Sequence, residues 1–301
     1  MTRPAPRSID QYLEQLKDAL KGEDPALIQD ALYDAEEYLR AELSQHPGKS
    51  EADVLELIAS TYGAPDEVAE AYRTTEKTVR AATRPTPPRA HASALGRFFG
   101  VYSDSRAWTA VFYMLLSLVT GIFFFVVTVT GSALSLGLAF TVVGIAFFLL
   151  FIGFTRVLSL TEGRIVEGLL GVRMPRRPVR STPGTPIGTR IKEMLTDPRT
   201  WSTLLYLLLM LPLGIFYFVL AVVALSLSVG LIFAPFAAIL RWFGVDHGGV
   251  QMNGWFLPFP ATLVVSVLGV LLLTAFLHAA RGLGAAHGAL ARGLLLSRDP
   301  E

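Results

Sequence analysis

Residues 104–126 read DSRAWTAVFYMLLSLVTGIFFFV, and residues 197–219 read DPRTWSTLLYLLLMLPLGIFYFV. The two stretches align without a gap at an offset of 93, and the alignment extends over 104–140 and 197–233. The residues found in both copies include Asp104, Arg106, Trp108, Tyr113, Gly121, Phe123 and Val126. A second alignment, at an offset of 125, joins 141–170 to 266–295. Because repeats determine architecture, the chain is predicted to contain two similar helical hairpins, the second carrying an insert at about 234–265.

The composition is that of a membrane protein with a soluble part. Of 301 residues, 52% are hydrophobic, and the mean hydropathy is +0.47, which is too apolar for an ordinary soluble protein. The absence of cysteine excludes disulfides, thiolate metal sites and cysteine nucleophiles. No signal peptide is visible before the first apolar segment, which begins near Thr109.

The small net charge of +1 hides a division between an acidic and a basic part. Residues 1–75 carry 16 Asp and Glu against 7 Lys and Arg, whereas the remainder carries 9 against 19. An acidic N-terminal part argues against nucleic-acid binding through that part.

Four membrane spans are predicted, because about 20 apolar residues cross a hydrocarbon core of about 30 Å. They are placed at 109–131, 136–157, 202–225 and 259–280, with a turn at 131–133 and a kink at Pro212. Residues 226–240 are read as the outer end of the third span followed by an interfacial or re-entrant piece. No carboxylate or lysine lies in a predicted span, which weighs against ion-coupled transport.

The orientation follows from the placement of cations. Residues 156–199 hold nine Lys and Arg against four acids, whereas Arg241 is the one Lys or Arg between the third and fourth spans. The positive-inside rule then places both termini in the cytoplasm.

Residues 1–74 are predicted to form a small cytoplasmic bundle of about four helices. Ser8 and Asp24 are expected to cap the first two helices, and Gly63 suits a helix C-terminus. The last helix is predicted over 66–73. Residues 75–95 are read as a linker, since they contain Pro-Thr-Pro-Pro. Residues 96–301 form the membrane part, with repeats at 96–175 and 190–298.

The N-terminal sequence resembles a known family. The segments IDQYLEQLKDAL, ALIQDALYDAEEYLRAEL and EADVLELIASTYGAPDEVAEAYR are similar to the HAAS signalling domain of bacterial membrane proteins. The ending of that domain is matched by Gly63, Ala64, Pro65, Val68 and Ala69. This resemblance implies a cytoplasmic helical module that binds partners and is not an enzyme.

The membrane part, over about 96–298, resembles the multipass sensor domain that often precedes histidine kinases in bacteria. The residues that carry the match are Asp197, Pro198, Trp201, Tyr206, Leu208, Pro212, Gly214 and Phe218. The resemblance implies a membrane-embedded module that receives a signal. The first copy departs from this pattern, because it has Val119 where the second copy has Pro212. The two hairpins therefore need not have the same function.

Two groups of residues are candidate functional sites. The candidate signal or partner surface is the polar and aromatic part of the insert: Arg241, Trp242, Asp246, His247, Gln251, Asn253 and Trp255. The candidate coupling residues on the cytoplasmic side are Asp104, Arg106, Trp108, Asp197, Arg199, Trp201, Arg176, Arg177 and Arg180. The tryptophans also suit a plain role as interfacial anchors. His278 is assigned a structural role, and His287 is expected on the surface of an amphipathic helix.

The sequence therefore predicts a non-catalytic signalling protein of the bacterial cytoplasmic membrane. No catalytic residue, cofactor or metal is predicted. The expected partners are the lipid bilayer and a cytoplasmic protein such as a kinase or regulator, and oligomerisation is possible. The acidic head is expected to dock on the basic segment 156–199. The alternatives are a permease-like subunit that works with a separate ATPase, and a structural membrane organiser.

Overall fold

The computed structural model describes residues 5–58, 61–83, 93–177, 187–244, 251–252 and 255–296. The described residues are helical apart from short connections and two antiparallel strands of two residues each, Gln251–Met252 and Trp255–Phe256. Four of the helices are long and apolar enough to cross a membrane. The predicted all-α class with four spans is confirmed.

The N-terminal helices form a small bundle, called the head below. They are α1 (Ile9–Ala19), α2 (Pro25–Gln45), α3 (Glu51–Ile58) and α4 (Pro65–Thr83). The Ser8 hydroxyl accepts the Gln11 N–H at 3.2 Å, and the Asp24 carboxylate accepts the Ala26 N–H at 3.0 Å, as the capping signals predict. The four helices bury one apolar core, whose members include Tyr12, Leu13, Leu16, Leu20, Ala31, Leu39, Ile58 and Ala69.

Helix α4 is longer than the sequence predicts. The expected end is at Arg73, but the helix continues to Thr83, through residues assigned to the linker. Residues 74–83 contain no glycine or proline and include Ala, Lys, Glu and Arg, which favour helix. The Pro-Thr-Pro-Pro run lies in 84–92, outside the described residues.

The remaining helices are α5 (Ala94–Phe99), α6 (Ser105–Gly137), α7 (Val142–Leu170), α8 (Ile187–Thr196), α9 (Pro198–Ile232), α10 (Ala234–Trp242) and α11 (Phe259–Leu295), with a 3-10 turn at Gly100–Ser103. The four long helices, α6, α7, α9 and α11, have 29 to 37 residues. At 1.5 Å per residue each is at least about 43 Å long, so it exceeds a hydrocarbon core of about 30 Å. The ends nearest the head are called the head side.

The first hairpin turns later than predicted. The expected turn at 131–133 is wrong, because α6 continues to Gly137 and the connection lies at 138–141. Gly131 faces the Phe151 ring so closely that an added Cβ would overlap it. The glycine therefore makes room for an aromatic side chain of α7 rather than breaking the helix.

Residues 226–240 divide between two helices. Helix α9 extends to Ile232, and α10 begins at Ala234 with Pro235 in its first turn. The first part of the prediction, an extension of the third span, is confirmed. The interfacial or re-entrant location of the second part stays a prediction, as does the kink at Pro212, which lies within α9.

Helices α6 and α9 pack against each other through two glycines that are 93 positions apart. A Cβ on Gly121 would overlap the Met210 carbonyl group, and one on Gly214 would overlap that of Ser117. Ser117 and Met210 are themselves 93 apart. The two backbones therefore touch at a pair of corresponding sites, where only glycine leaves enough room.

Candidate functional site

A buried cluster of polar side chains joins the two hairpins. The Tyr113 hydroxyl donates to Glu162 Oε1 at 2.7 Å and lies 2.6 Å from His287 Nε2. The Tyr206 hydroxyl makes the same two contacts at 3.2 and 3.0 Å. Tyr217 completes the cluster, with its hydroxyl 3.3 Å from His287 Nδ1. Glu162 is fully buried and His287 is 1% exposed.

The cluster lies at one level of the bundle. Tyr113 and Tyr206 stand eight residues after the first residues of α6 and α9, and Glu162 and His287 stand eight residues before the last residues of α7 and α11. Eight residues of helix span about 12 Å. All four helices therefore place a polar group about 12 Å from their head-side ends.

The cluster members correspond by the sequence offsets. Tyr113 and Tyr206 are 93 apart, and Glu162 and His287 are 125 apart. Corresponding positions thus carry the same residue on α6 and α9, but a carboxylate on α7 and an imidazole on α11. This arrangement brings an acid and a base to the same pair of hydroxyls.

Proton counting limits the charge states of the cluster. If Glu162 is ionised and accepts from both tyrosines, the His287 Nε2–H must point towards the tyrosine oxygens, because each hydroxyl has one proton. Glu162 Oε2 is buried and has no hydrogen-bond partner among the described residues. A buried net charge is costly, so the favoured states are neutral overall: ionised Glu162 with cationic His287, or both groups uncharged.

This cluster was not predicted from the sequence. The prediction that His287 lies on the surface is wrong, because α11 turns this side chain towards α6 and α9. Glu162 falls outside the predicted second span, which ends at residue 157, but α7 continues to Leu170. Glu162 and His287 occupy corresponding positions but are not identical, so they do not stand out in the alignment. The signal that could have identified them is a titratable residue at the same position of both copies.

The two Asp-x-Arg-x-Trp segments have the same local geometry. Asp104 Oδ1 accepts the Arg106 N–H, and Asp197 Oδ1 accepts the Arg199 N–H, both at 3.0 Å. Trp108 Nε1 donates to the Tyr102 carbonyl at 3.0 Å, and Trp201 Nε1 donates to that of Leu195 at 2.8 Å. Each aspartate caps its helix and each tryptophan fastens the preceding segment. A coupling role for these residues stays a prediction.

The head contacts the segment that follows α7. Asp30 Oδ1 accepts the backbone N–H groups of Arg176 and Arg177 at 2.8 and 2.9 Å, and Oδ2 accepts Arg173 Nη2 at 3.1 Å. Arg177 Nε also pairs with Asp34 Oδ1 at 2.8 Å. Burial raises the pKa of Asp30, and the two N–H groups and the charges of Arg173 and Arg176 oppose this effect.

A second contact holds the head at the end of α11. Arg292 Nη2 pairs with Asp24 Oδ2 at 2.8 Å. On the first hairpin the corresponding position is Glu167, 125 residues earlier, and it pairs with Arg173 at 3.4 Å and Arg176 at 2.9 Å. The head therefore bridges the head-side ends of both hairpins, and at each end an arginine holds one of its carboxylates. Arg180 lies outside the described residues.

The predicted outer surface is described only in part. Arg241 lies on α10, with its guanidinium carbon 3.6 Å from the centre of the Phe256 ring. Trp242 is 89% exposed. Gln251 and Trp255 lie on the two short strands, whereas Asp246, His247 and Asn253 lie outside the described residues. The structure brings Arg241 to the strand region, and the signal-binding role stays a prediction.

His278 has the structural role that the sequence analysis assigned to it. Its Nε2 lies 2.9 Å from the Phe98 carbonyl oxygen, and its ring stacks on that of Phe98. These contacts hold α5 against α11.

Comparison with known proteins identifies the membrane part. The family model described as "Putative sensor" matches residues 113–295, which is more than half of the chain and includes the whole buried cluster. No curated protein matches the chain, and no solved structure does. With its four apolar helices, the chain is a multi-pass membrane protein, and it belongs to the Putative sensor family.

Proposed function

We propose that the protein is a non-catalytic sensor of the bacterial cytoplasmic membrane, which relays a membrane or extracytoplasmic signal to its HAAS-like head. The observation that carries the proposal is the contact of Asp30 with residues 173–177, directly after α7. A rearrangement of the hairpins moves this segment and therefore changes the position of the head. Both termini lie in the cytoplasm, on the side of the basic segment.

The two attachment points of the head support a relay. Arg173 belongs to the first hairpin and Arg292 to the second, and they hold Asp30 on α2 and Asp24 at its start. If the two hairpins are internal repeats, as their sequences indicate, a movement of one relative to the other strains one of these contacts. The head then leaves its docked position and its surface becomes available to a cytoplasmic protein partner.

The buried cluster supplies the link between the hairpins. Tyr113 and Glu162 come from the first, and Tyr206 and His287 from the second. Ionisable groups within a membrane bundle are functional candidates by default. The insert, with Arg241 packed on Phe256, is the proposed site at which an outer signal acts.

The test uses the absence of cysteine. Spin labels are attached at Glu37→Cys on α2 and Lys192→Cys on α8 in the full chain in lipid nanodiscs, and the distance between them is measured. Asp30→Ala should broaden and lengthen the distance distribution, whereas Glu56→Ala, which removes an exposed head carboxylate, should leave it unchanged. An unchanged distribution in Asp30→Ala would refute docking as the basis of the relay.

The partner is tested by crosslinking and recovery from native membranes. A kinase or regulator recovered in different amounts with the wild type and Asp30→Ala supports the relay. Recovery of an ATPase instead supports the transport subunit. Equal recovery of the same protein with both variants supports a structural organiser.

A further inference from the structure

A large cleft separates the head from the head-side ends of the membrane helices. Its volume is about 850 Å³, within the range of small-molecule sites. Its walls come from the start of α2, from α4 of the head and from the ends of α6, α7 and α11. A Cβ on Gly168 or Gly171, which also line it, would meet nothing within 4 Å, so the space beside them is open.

The charges that line the cleft do not cancel. Its three carboxylates, Asp24, Glu76 and Glu167, are paired with Arg292, Arg173 and Arg176. Two further arginines, Arg106 and Arg164, line the cleft, and their guanidinium groups have no partner among the described residues. Arg106 and Arg164 are therefore the two guanidinium groups of the lining that make no ion pair among the described residues.

The chemistry of this lining suits a phosphate group. Guanidinium groups bind phosphate oxygens through paired, charge-assisted hydrogen bonds. The hydroxyl-bearing residues Ser105 and Thr109 lie beside Arg106 on the first turns of α6. Two positive charges match a phosphate monoester, which carries about −1.5 to −2 at neutral pH. The cleft also lies at the membrane boundary, where basic pockets between helices meet lipid headgroups.

We infer that this cleft binds a phosphate-bearing anion through Arg106 and Arg164. The inference rests on the proposed function, because it assigns a ligand to the relay. An anion held there also lies beside Arg173 and Arg292, whose guanidinium groups pair with carboxylates of the head. It competes with their carboxylate partners, so binding shifts the head away from its docked position.

The test measures binding of two phosphate sources to the full chain. Nanodiscs of phosphatidylcholine are compared with nanodiscs that also contain phosphatidic acid, and pyrophosphate is added to the former. Arg106→Gln with Arg164→Gln should weaken binding by roughly tenfold or more. The matched control is Arg97→Gln with Lys192→Gln, which removes two exposed cations that lie outside the cleft.

Each outcome is decisive. Binding of phosphatidic acid alone, lost in the cleft variant only, supports the site and assigns it to lipid; binding of pyrophosphate with the same dependence assigns it to a soluble ligand. No binding of either, or an equal loss in the control variant, overturns the inference. If ligand binds but the spin-label distance does not change, the site stands and its effect on the head is refuted. If Asp30→Ala releases the head but no ligand binds, the relay stands and the site fails.

Discussion

Glu162 and His287 meet at the Tyr113 hydroxyl: Glu162 Oε1 lies 2.7 Å and His287 Nε2 lies 2.6 Å from its oxygen. The two residues come from corresponding positions on α7 and α11, so an acid and a base meet where a symmetric bundle would place two identical groups. Each hairpin therefore supplies hydrogen-bond partners for buried polar atoms of the other.

Removal of the shared hydroxyl should destabilise the bundle. Tyr113→Phe leaves Glu162 and His287 without their shortest contact and should cost about 1.5–3 kcal/mol. Tyr206→Phe should cost less, because its contacts are longer, at 3.2 and 3.0 Å. Thermal unfolding in nanodiscs measures both. Equal shifts of Tm, or a larger shift for Tyr206→Phe, would show that the shorter hydrogen bonds are not the ones that stabilise the bundle more.

The glycine contact between α6 and α9 should be intolerant of a methyl group. Gly121→Ala places a Cβ in overlap with the Met210 carbonyl group, so the helices must separate, at a cost of about 1–3 kcal/mol. Gly230→Ala is the control, since its Cβ would meet nothing within 4 Å. A Tm for Gly121→Ala equal to that for Gly230→Ala would contradict the close approach of the helices.

Loss of the Asp30 carboxylate should release the head. Asp30→Ala leaves Arg173 and two backbone N–H groups without their acceptor, at a cost of about 3 kcal/mol. Asp30→Asn keeps one acceptor oxygen and should have a smaller effect. Hydrogen exchange at residues 173–177 reports the change, and Glu56→Ala serves as the control. Protection that is the same in the wild type and all three variants would argue against the contact.

The same carboxyl should make docking depend on pH. Its docked pKa is raised above the ordinary value of 3.8 by burial, so between 3.8 and the raised pKa the docked group holds a proton that the exposed group has lost. Docking therefore weakens as the pH rises through this window and is constant above it. Exchange rates at Arg176 and Arg177, corrected for intrinsic pH effects, should show this slope in the wild type, and Asp30→Asn should abolish it.

The helix caps could be predicted from the sequence, whereas the features that depend on packing between helices could not. Ser8 and Asp24 cap their helices as expected, because a cap is a local hydrogen bond. The turn at 131–133 was wrong, since the reason for Gly131 is the Phe151 ring on another helix. The contact of Glu162 and His287 with the same hydroxyls was missed because it depends on how four helices pack. The sequence of any one helix does not contain that information.

Asp24 has both carboxylate oxygens in use: Oδ1 caps the first turn of α2, and Oδ2 holds Arg292. The same side chain therefore stabilises α2 and attaches the head to α11. Thermodynamic reciprocity then applies in both directions. A protein that binds the start of α2 changes the free energy of the Asp24–Arg292 contact. That contact changes the free energy of binding that protein by the same amount. The membrane part would thus respond to whatever binds the head, as well as change what the head can bind.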